Sequence, residues 1–512
     1  MMLGRSSTGR AEALWRGSRA TRESRRRKRF ISAVVSTEGH GGPPSAGLEI
    51  IRKVCRRFVG GRISSVARAP RLDAASRQHV WYLETASNYA DSFCVVGITT
   101  VELIESFFEG PVAVSLVCDQ EDLSSPGGIR RVEPDVAISS RTYPTKQEVL
   151  AVIPAECFER SLTKSSLYLA MSLLLTIGTG LCGYAFIPVA WAWLPAWVAY
   201  AVVVGTAATG CWVIAHECGH RAYAKYNWLQ DAIGFVLHSG LLVPYFSWQR
   251  SHALHHARTN HLDLGETFVP PRDTTARGQA WLRFQDTVGD EAFAIITIVS
   301  RLLFGWPGYL LFGATGGPER GRTNHFWPLK PFSGAMFPGQ WRRKVWLSDL
   351  GVLAMISLLV WWASQAGVAT VIAVYVGPYL VVNFWLVLYT WLQHIDADVP
   401  HFGEDEWSWV KGAFMTIDRP YGRLLDFLHH HIGSTHVAHH IDARIPHYHA
   451  VKATHALREH FPDLYLYDPT PLPRALWKAA MHCHVVTKAD EGWTFVGRKR
   501  MPAGTKRRAS SG

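Results

Sequence analysis

A chain of 512 residues with 48% hydrophobic residues and 21 tryptophans can build a large core or several domains. Its net charge of +12 sits at one end: residues 1–71 carry 17 Lys/Arg against 4 Asp/Glu, and the remainder sums to −1, so the main body offers no electrostatic case for a nucleic-acid partner. Eight cysteines with no CxxC or scaffold spacing argue against a disulfide-built domain and fit a reduced, cytosol-facing environment.

In chain order, residues 1–145 read as a basic extension, disordered or targeting, with the charge run R-E-S-R-R-R-K-R-F at 22–30. Residues 146–490 form the main domain, and 491–512 a short basic tail. Within the main domain, Ser165–Ile187 and Val189–Ala215 are each long and apolar enough to span a bilayer, and only Pro188 separates them. They predict a helical hairpin. Leu229–Phe246 is shorter and ends near Pro244, and Ile295–Phe312 is interrupted by Arg301 and Pro307. Val345–Val368 and Ala369–Leu392 make a second long pair, preceded by Trp341, Arg342, Arg343 and Lys344 as an interfacial anchor.

Three histidine clusters punctuate this pattern. H-E-C-G-H at 216–220 places His216 and His220 one helical turn apart. S-H-A-L-H-H supplies His252, His255 and His256, and T-H-V-A-H-H supplies His436, His439 and His440. Imidazole-rich sites without cysteine suit Fe, Zn, Cu or Ni, and eight candidates exceed the four ligands of one zinc, so two metals are expected. If the clusters meet at one site they lie on one side of the membrane. Parity then makes 229–246 and 295–312 interfacial or re-entrant, and leaves four spans. Positive-inside logic puts the site in the cytosol. The expected fold is an all-α integral membrane protein with four transmembrane helices, interfacial helices and a cytosolic histidine-rich di-iron domain.

Two irons held by imidazoles can activate O₂ for attack on an unactivated C–H bond. The electrons must come from elsewhere, because no Gly-rich nucleotide fingerprint follows a strand. A membrane setting suggests a lipid substrate. Two other readings differ in kind. H-E-x-x-H also suits a zinc protease with Glu217 as base, which leaves two clusters idle. A histidine-rich metal transporter needs ionisable groups inside its spans, and these have almost none.

The three clusters resemble the histidine boxes of membrane fatty acid desaturases. The segments I-P-A-E-C-F-E-R-S at 153–161, L-L-V-P-Y-F-S-W-Q-R-S-H at 241–252, V-P-H-F at 399–402, D-R-P-Y-G at 418–422 and I-P-H-Y-H-A at 445–450 are similar to the Δ12 (omega-6) oleate desaturases of the endoplasmic reticulum. H-H-H-I at 429–432 and Y-D-P-T-P-L-P-R-A-L-W at 467–477 look more fungal than plant. Ala253 and Leu254 stand where the plant second box has a basic pair.

The resemblance implies a di-iron centre. It also implies electrons from cytochrome b5 and an NADH-dependent reductase, or ferredoxin in a plastid. The implied reaction places a cis double bond at C12–C13 of a phospholipid-linked oleoyl chain. Hydroxylase, conjugase, acetylenase and omega-3 variants share the boxes. The location implied is the endoplasmic reticulum membrane, with an organelle envelope as the alternative.

Two irons with roughly four or five protein ligands each would take about eight to ten. His394, at the cytosolic end of the fourth span, is the ninth candidate ligand, and related desaturases place a ligand there. The competing reading bonds it to Asp396 or to headgroups. His238 and His261 read as structural, His447 and His449 as surface residues, and His430 as a partner orienting a ligand imidazole. Asp263 and Glu266 read as acceptors behind box two or as solvated groups.

Overall fold

The computed structural model describes residues 142–490 and 492–497, together with four backbone strands nearer the N-terminus. Those strands, β1 (Phe30–Thr37), β2 (Ile63–Arg68), β3 (His79–Thr85) and β4 (Val112–Leu116), belong to a separate unit ending at Ser125 and pair antiparallel in the order β2-β3-β1-β4. The rest of the proposed N-terminal extension, and the basic C-terminal tail beyond residue 497, lie outside the described residues.

The second unit is helical. It opens with α1 (Lys146–Ala151), whose Thr145 and Glu148 form a reciprocal capping box. The expected hairpin is α2 (Leu162–Phe186) and α3 (Leu194–His220). α3 starts and ends five residues later than its apolar run, so the first histidine cluster occupies its last turn. Arg221, in the left-handed conformation, ends α3. On α2, Leu167, Leu174, Ile177 and Leu181 face outward, as a lipid-facing span requires. By contrast α3 is the central, mostly buried helix.

Glycines let its neighbours approach. A Cβ on Gly205 would sit 2.6 Å from Pro378 O, and one on Gly210 would sit 2.5 Å from Leu428 O. The neighbour at Gly205 is α9 (Val368–Leu392), which follows α8 (Gln340–Ala366). A π-helical turn over Ile372–Val376 interrupts α9, and Tyr200 on α3 donates to Val374 O there at 3.2 Å.

Between the two pairs lie α4 (Asn227–Gly240), α5 (Tyr245–Ala257), α6 (Ala276–Val288) and α7 (Asp290–Phe312). At 14 residues, α4 is too short to cross, in line with an interfacial reading. Five helices are long and apolar enough for a span, α7 among them. Both ends of α7, however, are tied to the polar side of the molecule, one to the cap built after α9 and the other to the loop that follows α5. Before it, Gln285 donates to Met481 O at 3.2 Å. At its end, Tyr309 donates to Glu266 at 3.5 Å, and just beyond it Val269 N donates to Thr315 O at 2.9 Å. A helix with both ends on one face does not cross, which leaves α2, α3, α8 and α9 as the spans.

After α9 the chain builds the cap from α10 (Trp409–Phe414), α11 (Arg423–Leu428), α12 (His436–Ile441), α13 (His447–His460) and α14 (Leu472–His482). Short strands tie it together: β5 (Ile417–Asp418) runs parallel to β6 (Leu466–Tyr467), and β7 (Val486–Lys488) pairs with β8 (Trp493–Phe495). One apolar cluster joins Val149 of α1, and Ile153 and Cys157 just after it, to Val437, Ala438 and Ile441 of α12. Leu254 and Trp341 pack on Met336, Phe337 and Val345. That contact sets the start of α8 beside α5 and shows why position 254 is apolar here.

Candidate metal centre

Four backbone elements converge where the spans meet the cap. The last turn of α3 presents His216 and His220, and α5 presents His252, His255 and His256. His394 follows α9 in a turn, and α12, only six residues long, carries His436, His439 and His440.

The imidazoles sort into two groups. The donor atoms of His216, His220, His252, His256 and His439 lie within 4.8 Å of one another, and so do those of His255, His394 and His440. His436 joins the second group through its Nε2, 3.0 Å from His394 Nε2. Within the groups, Nε2 faces Nε2 at 2.9 Å for His216–His252, 3.2 Å for His216–His220 and His252–His256, and 3.1 Å for His255–His394. Two nitrogens about 2.1 Å from one ion and about 90° apart are separated by about 3 Å, so these spacings suit shared ions better than imidazole–imidazole hydrogen bonds. In addition, Nε2 of His439 and of His440 is buried without a partner, and buried donors or acceptors left empty are costly. The donor set fits two metal ions: five imidazoles on one side, four on the other.

Burial also puts these rings in the right protonation state. Desolvation, reinforced by neighbouring imidazoles, holds His252, His256, His394, His436, His439 and His440 well below the ordinary imidazole range. Desolvation alone takes His255 to about 3. Neutral rings with free lone pairs are what metal binding requires.

The surroundings fix the rings. Trp248 stacks on His252 at 4.7 Å and Trp212 on His216 at 5.3 Å. Thr259 bonds His440 Nδ1 at 3.1 Å while donating to His255 O at 2.9 Å, which couples box two to box three. Asp418 accepts from Val437 N at the start of α12. The D-R-P-Y-G segment was visible in the sequence as a motif, but its role as the support of box three was not, because the contact spans distant positions.

Other candidates fall elsewhere. His394 turns to His255 and His436, not to Asp396. Asp263 forms a two-point pair with Arg272, at 2.6 and 2.7 Å, and buried Glu266 pairs with Arg320 at 3.2 Å. His261 bridges Glu404 and the Asp263 amide, and His238 packs between Trp212 and Trp248; both are structural. His430 bonds Ser172 at 2.9 Å and lies against Tyr168 and His447. His447 corrects the surface reading: it is buried, and both its Nδ1 and its amide bond Glu217, at 2.7 and 2.6 Å. Its place after Pro446 at the start of α13 hid this, since the partner is 230 positions away. Glu217 is thereby engaged by His447, away from the nine clustered imidazoles, and is not placed as a protease base.

The architecture is that of a multi-pass membrane protein with clustered imidazoles, able to hold metal, under a polar cap. The sequence profile of fatty acid desaturases matches residues 167–470, and the chain belongs to this family of oxidoreductases. It is 38% identical over 353 residues to the oleoyl-12-hydroxylase of Ricinus communis, covering 68% of this chain and 88% of that protein. It is 39% identical over 357 residues to the endoplasmic reticulum omega-6 desaturase isozyme 1 of Glycine max, covering 69% and 89%. To the Δ12 desaturase of Mortierella alpina it is 38% identical over 358 residues, covering 67% and 88%.

Proposed function

We propose that this chain is a Δ12 acyl-lipid desaturase of the endoplasmic reticulum membrane, converting an oleoyl to a linoleoyl chain. The observation that carries the chemistry is the division of nine neutral imidazoles into two adjacent groups. His216, His220, His252, His256 and His439 would hold one iron, and His255, His394, His436 and His440 the other. Bound there, the irons supply O₂-dependent removal of hydrogen from an unactivated C–H bond, with electrons delivered by cytochrome b5 from an NADH-dependent reductase.

The chain's own residues orient and protect. Trp212 and Trp248 fix the ring planes of His216 and His252 and line that side of the site with apolar surface. Thr259 fixes the relation of the two groups. The centre lies at the ends of α3 and α9, two of the apolar helices long enough to span. Arg342, Arg343 and Lys344 open α8 on the same side as α5, which supports a cytosolic centre.

The Δ12 assignment rests on relatives bearing that name. A specific observation favours a second reading: the Ricinus oleoyl-12-hydroxylase matches equally well. Yeast expressing the chain distinguishes them. Linoleate formed from endogenous oleate is the expected result, read by gas chromatography–mass spectrometry of fatty acid derivatives. A 12-hydroxylated product would transfer the chain to the hydroxylases, and an unchanged profile with iron-loaded protein present would overturn both readings.

A further inference from the structure

The D-R-P-Y-G segment contains two charged residues that have no exposure at all, Asp418 and Arg419. Burying a carboxylate and a guanidinium is costly, and an apolar pair of similar volume often serves stability as well or better. Their partners show what the pair holds.

Asp418 accepts from Val437 N at 2.8 Å with one oxygen and from Tyr465 Oη at 2.6 Å with the other. Val437 follows His436 in α12. A helix of six residues has little stability of its own, so its position is set by what grips it. Arg419 faces the other way. Its Nε donates to Leu392 O at 2.9 Å, its Nη2 reaches Asp396 at 3.4 Å, and its Nη1 bonds Asp468. Leu392 and Asp396 bracket His394, which belongs to no helix. The adjoining backbone adds to the grip: Ile417 N donates to Gln393 O at 2.9 Å, and Arg419 N donates to Gly433 O at 3.2 Å. Tyr421 of the same motif donates to Gln393 Oε1 at 3.0 Å.

We propose that Asp418 and Arg419 are positioning residues, a clamp in which one side chain sets the box-three helix, the other sets the turn carrying His394, and the second imidazole group depends on both. The inference rests on the metal reading above. His436 and His394 come from separate elements, joined otherwise by the Gln393 side-chain amide donating to Gly433 O, yet their Nε2 atoms lie 3.0 Å apart. Adjacent residues of β5 and the loop beyond it are the shortest covalent link between their supports. The first group does not need the clamp to the same degree, because four of its five imidazoles stand on the longer helices α3 and α5.

The test strips iron from the detergent-solubilised full chain with a chelator and titrates ferrous ion back. Wild-type chain should take up two ions. In Asp418→Ala one ion should bind about 10- to 100-fold more weakly, the usual loss when a partner behind a ligand is removed. The other should keep its affinity. Asp418→Asn retains an acceptor for Val437 N and should restore the second ion. Arg419→Lys, unable to reach Leu392 O, Asp396 and Asp468 together, should weaken the same ion.

Two ions bound with wild-type affinity in Asp418→Ala would overturn the clamp. So would equal weakening of both ions in the Ala and Asn variants alike. If Asp418→Ala does not accumulate, Tyr465→Phe decides: it frees one oxygen of Asp418 and should weaken the same single ion, and wild-type affinity there would overturn the proposal. A wild-type chain that takes up no iron would instead overturn the metal reading itself.

Discussion

His394 shows how much a single side chain contributes when its backbone contributes nothing regular. It stands in a turn, with its Nε2 3.1 Å from His255 and 3.0 Å from His436. His394→Ala should open one coordination position, lower bound iron and abolish desaturation, as His439→Ala should. Iron analysis and product profile on the purified variants check this. His238 is the control. It is fully buried, and its ring contacts are with Trp212, Tyr245 and Trp248. His238→Ala should cost about 2–4 kcal/mol as a cavity substitution and lower the unfolding midpoint while leaving iron content intact. Reduced iron in His238→Ala without unfolding would show that the aromatic wall sets the ligands.

At the scale of elements, α7 is where composition and tertiary structure pull apart. Its 23 residues satisfy the length and hydropathy of a span. Its surroundings do not: Phe293 packs on His484 of the cap, Arg301 lies 4.5 Å over the Trp391 ring, Gln285 before it bonds Met481 of the cap, and Thr315 beyond it bonds Val269 of the loop after α5. An arginine against a tryptophan near the water boundary is stable where the same arginine in mid-bilayer is not. Cysteines introduced at Thr287 and Glu319, in a background lacking Cys55, Cys94, Cys118 and Cys182, should therefore both react with a membrane-impermeant thiol reagent from the side that labels Lys488→Cys. Labelling from opposite sides would make α7 a crossing and break the parity that brings the boxes together.

For the whole molecule, the question is where the catalytic unit begins. Val149, Ile153 and Cys157 belong to the same apolar cluster as Val437, Ala438 and Ile441, so α1 is a support of box three. Lys411 lies 5.6 Å over the Tyr143 ring, and Thr145 caps α1. A chain beginning at residue 146, where the sequence places the main domain, would lose Tyr143 and the Thr145 cap. A chain beginning near Arg141 should keep iron and turnover, whereas one beginning at Pro154 should lose iron from the box-three side. Iron per chain in the two truncations, compared at equal membrane insertion, measures this.

The amino-acid sequence alone determined the classes of element and the chemistry. Hydropathy runs mark spans because a bilayer admits only long apolar helices, and clustered imidazoles mark metal because few other uses need so many. His394 was legible for the same reason: it lies where a span leaves the membrane on the side of the clusters. Only tertiary structure decided how nine imidazoles divide five and four, since each group draws on three backbone elements and local spacing cannot say which rings face one another. It also decided the roles of Glu217, His447, Asp418 and Arg419. Each is a polar residue whose meaning lies in a partner at another point of the fold, and burial without water makes that partner obligatory.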